Sequence, residues 1–301
     1  MHRMASVERI CLIGHLVSMA FGLAGLLLVM PHPEFLAHVP LGPNLFAWSM
    51  AGGGVVYIVL GTIAVTLYAY RTLGLRGWLG FMIPAIAISL GSELLGTSTG
   101  FPFGNYTYLS GLGYKISGLV PFTIPLSWFY LGLCSLLLAR AGLRALHTAN
   151  LSVWRSLAAI ALGAILLTSW DFVLDPAMSQ TAVPFWYWHQ PGAFFGMPYQ
   201  NFVGWFGTGA VFMGIASLIW SDRTPILQGN DLNLPLIVYL GNFGFATVMS
   251  LAAGFWVPVL LGILTGALPA VLCWRFTKTP PDQDRAEDAQ DTAKPSAFPS
   301  L

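Results

Sequence analysis

Charge is what this sequence lacks. Only 8% of its 301 residues are Asp, Glu, Lys or Arg and 56% are hydrophobic, where an average soluble domain is about 25% charged. A water-soluble fold is excluded. The stretches 10–33, 35–70, 116–139, 176–221 and 232–274 contain no charged side chain, and each is long enough for at least one membrane span of about 20 residues. Formal net charge is +1 with no basic block, so there is no electrostatic footprint for nucleic acid or for strong attachment to anionic lipid. Cysteine is scarce too. Cys11, Cys134 and Cys273 lie in separate apolar stretches without Cys-x-x-Cys spacing or neighbouring ligands, a pattern that predicts no disulfide, haem attachment or metal site.

What is present reads as an all-α, polytopic membrane bundle. Uncharged length and the Gly, Pro and Asn punctuation place about eight helices, near 10–30, 46–70, 77–97, 121–140, 154–174, 202–220, 233–252 and 255–274. The last two share 43 uncharged residues and are joined by little more than Ala253-Gly254. The first follows Arg3 and Arg9 and has no clear cleavage site, so it is expected to be retained. With these spans, twelve of the 13 Lys and Arg fall in one set of alternate compartments and Lys115 alone falls in the other. Such asymmetry puts both termini in the cytoplasm and segments 98–120 and 175–201 on the opposite face. The bundle therefore occupies residues 1–278. Residues 279–301, rich in Pro, Ala and Asp with almost no bulky apolar group, read as a disordered tail. The expected location is the cell membrane.

Ionisable groups at membrane depth are few, and two stand out, Glu93 and Asp171. A carboxylate at the centre of a span costs about 2.5–3.5 kcal/mol even on insertion scales, so such residues face the bundle interior and mark function. Each lies about one turn from the outer end of its expected helix, and both helices run outward, so the two acids share a leaflet. Asp175 follows Asp171 by four residues and shares its helical face; Pro176 is expected to end the helix there. Two carboxylates this close do not both ionise easily. One neutral acid beside one carboxylate is the pairing that general acid/base chemistry uses. Alternatively the acids are interfacial, reaching water or Lys115, and Asp175 shapes a turn before its proline.

Both outer segments are rich in aromatic rings. The first, 97–115, sets Phe101, Phe103, Tyr106, Tyr108 and Tyr114 among glycines, and 29% of residues 175–205 are Phe, Trp or Tyr against 14% overall. An aromatic belt at the membrane surface accounts for single rings. Four successive aromatics from Phe185 to Trp188, followed by His189 and glycine-bounded turns, fit a re-entrant wall over a cavity better. His189 is a candidate proton shuttle. His15, in the first span, is read as packed or pore-facing. Asn105, Gln200 and Asn201 are polar groups that would orient a water or satisfy backbone.

The strings GSELLGTSTGFPFGNYTY (91–108), SWDFVLDPAMS (169–179) and FWYWHQPGAFFGMPYQNFVGW (185–205) resemble the CruF-type carotenoid 1',2'-hydratases, the bacterioruberin-pathway and gamma-carotene or lycopene hydratases. The motifs cover about a third of the chain. The resemblance implies cofactor-independent addition of water to the terminal double bond of an acyclic psi end group, giving a tertiary alcohol, with a carotenoid as substrate and membrane lipid as surroundings. Other carotenoid biosynthesis enzymes are conceivable partners.

The residues suit that chemistry. Hydrating a trisubstituted alkene needs an acid strong enough to protonate the less substituted carbon, then one-sided capture of the tertiary cation by water. Aromatic faces stabilise such a cation by about 2 kcal/mol or more each when desolvated. Asp171 is the candidate donor. Glu93 and Asp175 are candidates for holding the water or tuning the donor. Tyr106, Trp186, Trp188 and Phe195 are candidate cation-stabilising rings, with His189 and Asn201 beside them. A prenyltransferase would need two acid-rich motifs for magnesium and bases for a diphosphate; this chain has one such motif. A cyclising enzyme would use the same acid and rings but exclude water. A carrier would titrate Glu93 and Asp171 near the midplane.

Overall fold

The computed structural model describes residues 2–145, 152–190, 192–220, 227 and 229–278. The expected tail, 279–301, and Arg223 lie outside the described residues. Seven helices among those described are long and apolar enough to cross a membrane, and the chain is an all-α, multi-pass bundle. The helices are α1 (His2–Ala24), α2 (Gly42–Thr99), α3 (Thr123–Ala145), α4 (Ser152–Ser179), α5 (Tyr199–Trp220), α6 (Asn233–Ala252), α7 (Trp256–Gly262) and α8 (Leu268–Phe276). A π-helical turn, Gly25–Val29, extends α1, and another, Ile263–Ala267, joins α7 to α8 without a break.

Helix α2 contains two of the expected spans. Its 58 residues would extend about 87 Å if straight, nearly three times a hydrocarbon core of about 30 Å. It is not straight: Gly74 has φ 73° and ψ 176°, outside helical geometry. Only glycine takes that conformation without a penalty of about 1–2 kcal/mol. The hairpin of α6 and α7 turns at Ala253-Gly254, with Gly254 at φ 81°.

Helix α3 is the centre. In its most apolar window 83% of residues are buried, against 11% in α1, because α3 is packed by α2, α4, α6 and α8. Its run Trp128, Phe129, Tyr130, Leu131 is buried throughout, as expected of a helix apolar on every side. The outer helices expose large apolar residues such as Phe21, Val203 and Leu218, the pattern of a lipid-facing surface. Cys11, Cys134 and Cys273 are buried free thiols on α1, α3 and α8.

Pro176 does not end α4, which runs through it to Ser179. A proline removes one backbone donor, and the turn survives here because Gln180 N–H donates to Pro176 O at 3.0 Å and Ser179 Oγ to Asp175 O at 2.8 Å. The extension sets Asp171 eight residues from the end of its helix, and Glu93 lies six from the end of α2. At 1.5 Å per residue those depths are about 12 and 9 Å, roughly twice the single turn read from sequence.

Candidate active site

Two short strands close the end of the bundle above these acids. In β1 (Tyr106–Tyr108) and β4 (Trp186–Trp188), residues 106, 107 and 108 pair antiparallel with 188, 187 and 186. Side chains alternate across a strand, so Tyr106, Tyr108, Trp186 and Trp188 point inward while Thr107 and Tyr187 point out. A second pair, β2 (Lys115–Ile116) with β3 (Val120–Pro121), leads into α3. The two aromatic segments are thus one lid. It is tied to the helices by close approach: a Cβ on Gly204 of α5 would come within 2.5 Å of the Phe103 ring and 2.9 Å of Pro102 O.

The inward side chains carry polar tips, and each tip reaches a carboxylate. Glu93, 2% exposed, accepts from the hydroxyls of Tyr106 and of Tyr108, the latter at 2.9 Å, both on Oε2. Its Oε1 accepts from Trp128 Nε1 at 3.0 Å. Burial first, then the Glu93 charge, pushes the phenols of Tyr106 and Tyr108 well above their ordinary range, so both remain donors. Asp175 Oδ1 accepts from Trp188 Nε1 at 2.9 Å, Trp186 Nε1 at 3.2 Å and Ser179 Oγ at 2.9 Å. Asn201 Nδ2 bridges the pair, at 2.7 Å from Asp171 Oδ2 and 3.4 Å from Asp175 Oδ2. Of the six oxygens on these three acids, Asp171 Oδ1 is the one without a hydrogen bond among the described residues.

All three acids line one cavity, with a volume of about 110 Å³ open to the centres of water molecules. A single water needs about 10–15 Å³ by that measure. Rings are grouped in its wall: Trp128 stacks on Trp205 with centroids 4.0 Å apart and planes at 21°, and Tyr106 lies 5.1 Å from Trp188. Among the described residues, no group of three or more His, Cys, Asp or Glu is placed to hold a metal ion.

The structure brings Glu93, Asp171, Asp175, Tyr106, Trp186, Trp188 and Asn201 to this cavity. It places His189 and Phe195 elsewhere. His189 is exposed on the outer side of the lid, its Nε2 2.7 Å from Thr107 Oγ1, because it follows the inward Trp188 by one residue. Phe195 packs against Phe194 and Phe255 and is 36% exposed. Gln200 donates to Gly100 O and Asn105 O accepts from the His189 amide, so both hold loops together. Lys115 donates to Tyr108 O, and no described ion pair joins it to the acids. His15 is buried and does not itself line the cavity, with Nδ1 2.7 Å from the backbone oxygen of Tyr57, a cavity-wall residue, and Nε2 3.0 Å from Asn242 Nδ2.

Tyr108, named in the sequence only as one of the aromatic residues of its segment, and Trp128 and Ser179 are not among the site candidates read from the sequence. Tyr108 was legible, since it repeats Tyr106 at the period of a strand. Trp128, 35 residues from Glu93, carries no local signal.

A family model described as carotenoid biosynthesis protein matches residues 53–269, all the acids and the whole lid included. The chain belongs to the carotenoid biosynthesis protein family. It is also 32% identical over 179 residues to a bisanhydrobacterioruberin hydratase of Haloarcula japonica, an alignment covering 59% of this chain and 49% of that protein. The match therefore spans about half the length of that relative. No solved structure matches the chain.

Proposed function

We propose that this family member is a carotenoid hydratase, adding water to the terminal double bond of an acyclic psi end group such as that of lycopene, gamma-carotene or a longer acyclic carotenoid. The observation that carries the reading is the unpartnered Asp171 Oδ1, on a 1% exposed residue that lines the cavity beside a second carboxylate. The carotenoid biosynthesis family and the Haloarcula japonica relative, a bisanhydrobacterioruberin hydratase, support the same reading.

In this reading Asp171 Oδ1 carries the proton. Asp175, with four donors aimed at it, accommodates negative charge, and like charges this close discourage a second ionisation. Asp171 transfers its proton to the less substituted alkene carbon. The two π electrons form the new C–H bond and leave a tertiary cation. Rings of Trp186, Trp188 and Tyr106 stabilise that cation, and the carboxylates of Asp175 and Glu93 oppose its charge. Water adds to the cationic carbon, its surplus proton passes to a carboxylate, and Asp171 is reprotonated. Alkene plus water gives tertiary alcohol, with no electron gained or lost and no cofactor required. Asn201 is the positioning residue that holds the Asp171 and Asp175 carboxylates at fixed separation.

The same reading takes α2 as two crossings divided at Gly74. The chain then crosses the cell membrane eight times, keeps both termini in the cytoplasm and presents the lid to the opposite side, where water enters. A carrier would be expected to hold its acids midway along the helices, and Asp171 lies in the last third of α4.

The test is expression in bacteria that accumulate lycopene or gamma-carotene. Products heavier by one water are expected, labelled from oxygen-18 water and unlabelled from oxygen-18 gas. Unchanged pigment despite membrane expression, with a longer acyclic carotenoid also tried, would reject the reading.

A further inference from the structure

The cavity does not stop at the acids. It continues between α1 and the first half of α2, past Ser18, Gly22 and Gly25 on one side and Ser49, Gly53 and Tyr57 on the other. Exposure rises along it. Glu93 and Asp171 are 2% and 1% exposed at the inner end, whereas Gly22, Gly25 and Gly53 are half-buried and Ser49 is exposed. The mouth is thus in the wall of the bundle, beside the least buried of the seven long apolar helices among the described residues. Its width comes from missing side chains. A Cβ on Gly22 would touch nothing nearer than Phe245 at 3.8 Å, on Gly25 nothing nearer than Phe46 at 4.0 Å, and on Gly53 nothing nearer than Ser49 Oγ at 3.6 Å. These glycines therefore leave room that no neighbouring group fills, along a groove that ends at the unpartnered Asp171 oxygen.

We infer that this groove is the binding site for the end portion of a polyene chain, which enters sideways from lipid and brings its terminal double bond to Asp171. The inference rests on the hydratase reading and adds which part of the substrate is recognised. The residues that line the groove run from Ser18 to Leu26 on one side and from Ser49 to Ile58 on the other, a length of about 12–14 Å at 1.5 Å per residue. A carotenoid is much longer, so the groove holds one end while the remainder stays in the bilayer. The far end then goes unread. Lycopene and gamma-carotene are both accepted, and a doubly acyclic carotenoid is hydrated at both ends in separate encounters.

Gly22→Leu and Gly53→Leu fill the groove without meeting protein at Cβ, and Leu is a better helix former than Gly, so both variants accumulate. Gly207→Leu is the control, on α5, away from the cavity and with nothing within 4 Å of its Cβ. Conversion in both groove variants is expected to fall by about tenfold or more, the cost of losing two buried methylene groups of substrate, while the control keeps wild-type turnover. A separate readout tests binding without turnover: in Gly53→Cys, lycopene added to membranes slows labelling by a lipid-soluble maleimide. Groove variants that hydrate as fast as Gly207→Leu, or labelling indifferent to lycopene, would overturn the inference and leave the hydratase reading standing. Protection by lycopene in a protein that makes no hydrated product would do the reverse.

Discussion

Asp171→Asn isolates the proton from the shape that carries it. The wild-type side chain makes one hydrogen bond, accepted from Asn201 Nδ2 at 2.7 Å on Oδ2, and its other oxygen has none. An asparagine keeps an acceptor at the first position and turns its NH2 toward the cavity at the second. No donor is forced against a donor, so the fold should be little disturbed. What is lost is the acidic proton, and general acid catalysis is worth about 10²–10⁴ in rate, or about 3–5 kcal/mol. Glu93→Gln is a contrasting case. Glu93 accepts three donors over both oxygens, whereas glutamine offers one acceptor, so its NH2 must face Trp128 Nε1 or the two tyrosine hydroxyls. A buried donor left unpaired costs about 1–3 kcal/mol. The expected pattern is Asp171→Asn at wild-type abundance with hydration reduced at least a hundredfold, and Glu93→Gln with both abundance and hydration reduced. Pigment extracts from lycopene-accumulating cells, normalised to the membrane protein, measure both. Asp171→Asn with wild-type turnover would refute the assignment of the donor and make the acid layer structural.

Trp188→Phe keeps a ring in the cavity but removes the 2.9 Å bond to Asp175; losing a hydrogen bond to a charged group, about 1.5–3 kcal/mol, should slow hydration roughly 10- to 150-fold, read from initial rates in membranes. His189→Ala alters an exposed residue on the outer side of the lid, so turnover should stay within about twofold of wild type, the range of an ordinary surface change. Gly204→Val places atoms against Phe103 and Pro102, and overpacking of about 1–3 kcal/mol should lower the melting temperature in detergent and the yield together.

Composition and the lengths of the uncharged stretches determined that this chain is an apolar helical bundle and which acids are exceptional in it. Absence of charge over long stretches leaves helices as the way to satisfy the backbone in lipid, and Glu93, Asp171 and Asp175 stood out because so little else there is ionisable. Glycine and proline were less informative. Gly74 divides a helix, whereas Pro176 lies inside one, since a single lost donor is outweighed when the packing on either side favours continuation. Partnership was decided by the tertiary structure alone. The pairing of 106–108 with 186–188 aims two phenols at Glu93 and two indoles at Asp175, and it turns His189 outward by the same alternation. Trp128 and Asn201 join acids on other helices, and no local pattern records a contact between segments 26 or more residues apart. The unpartnered oxygen of Asp171 is likewise a property of the assembled bundle, because it depends on where every neighbouring donor comes to rest.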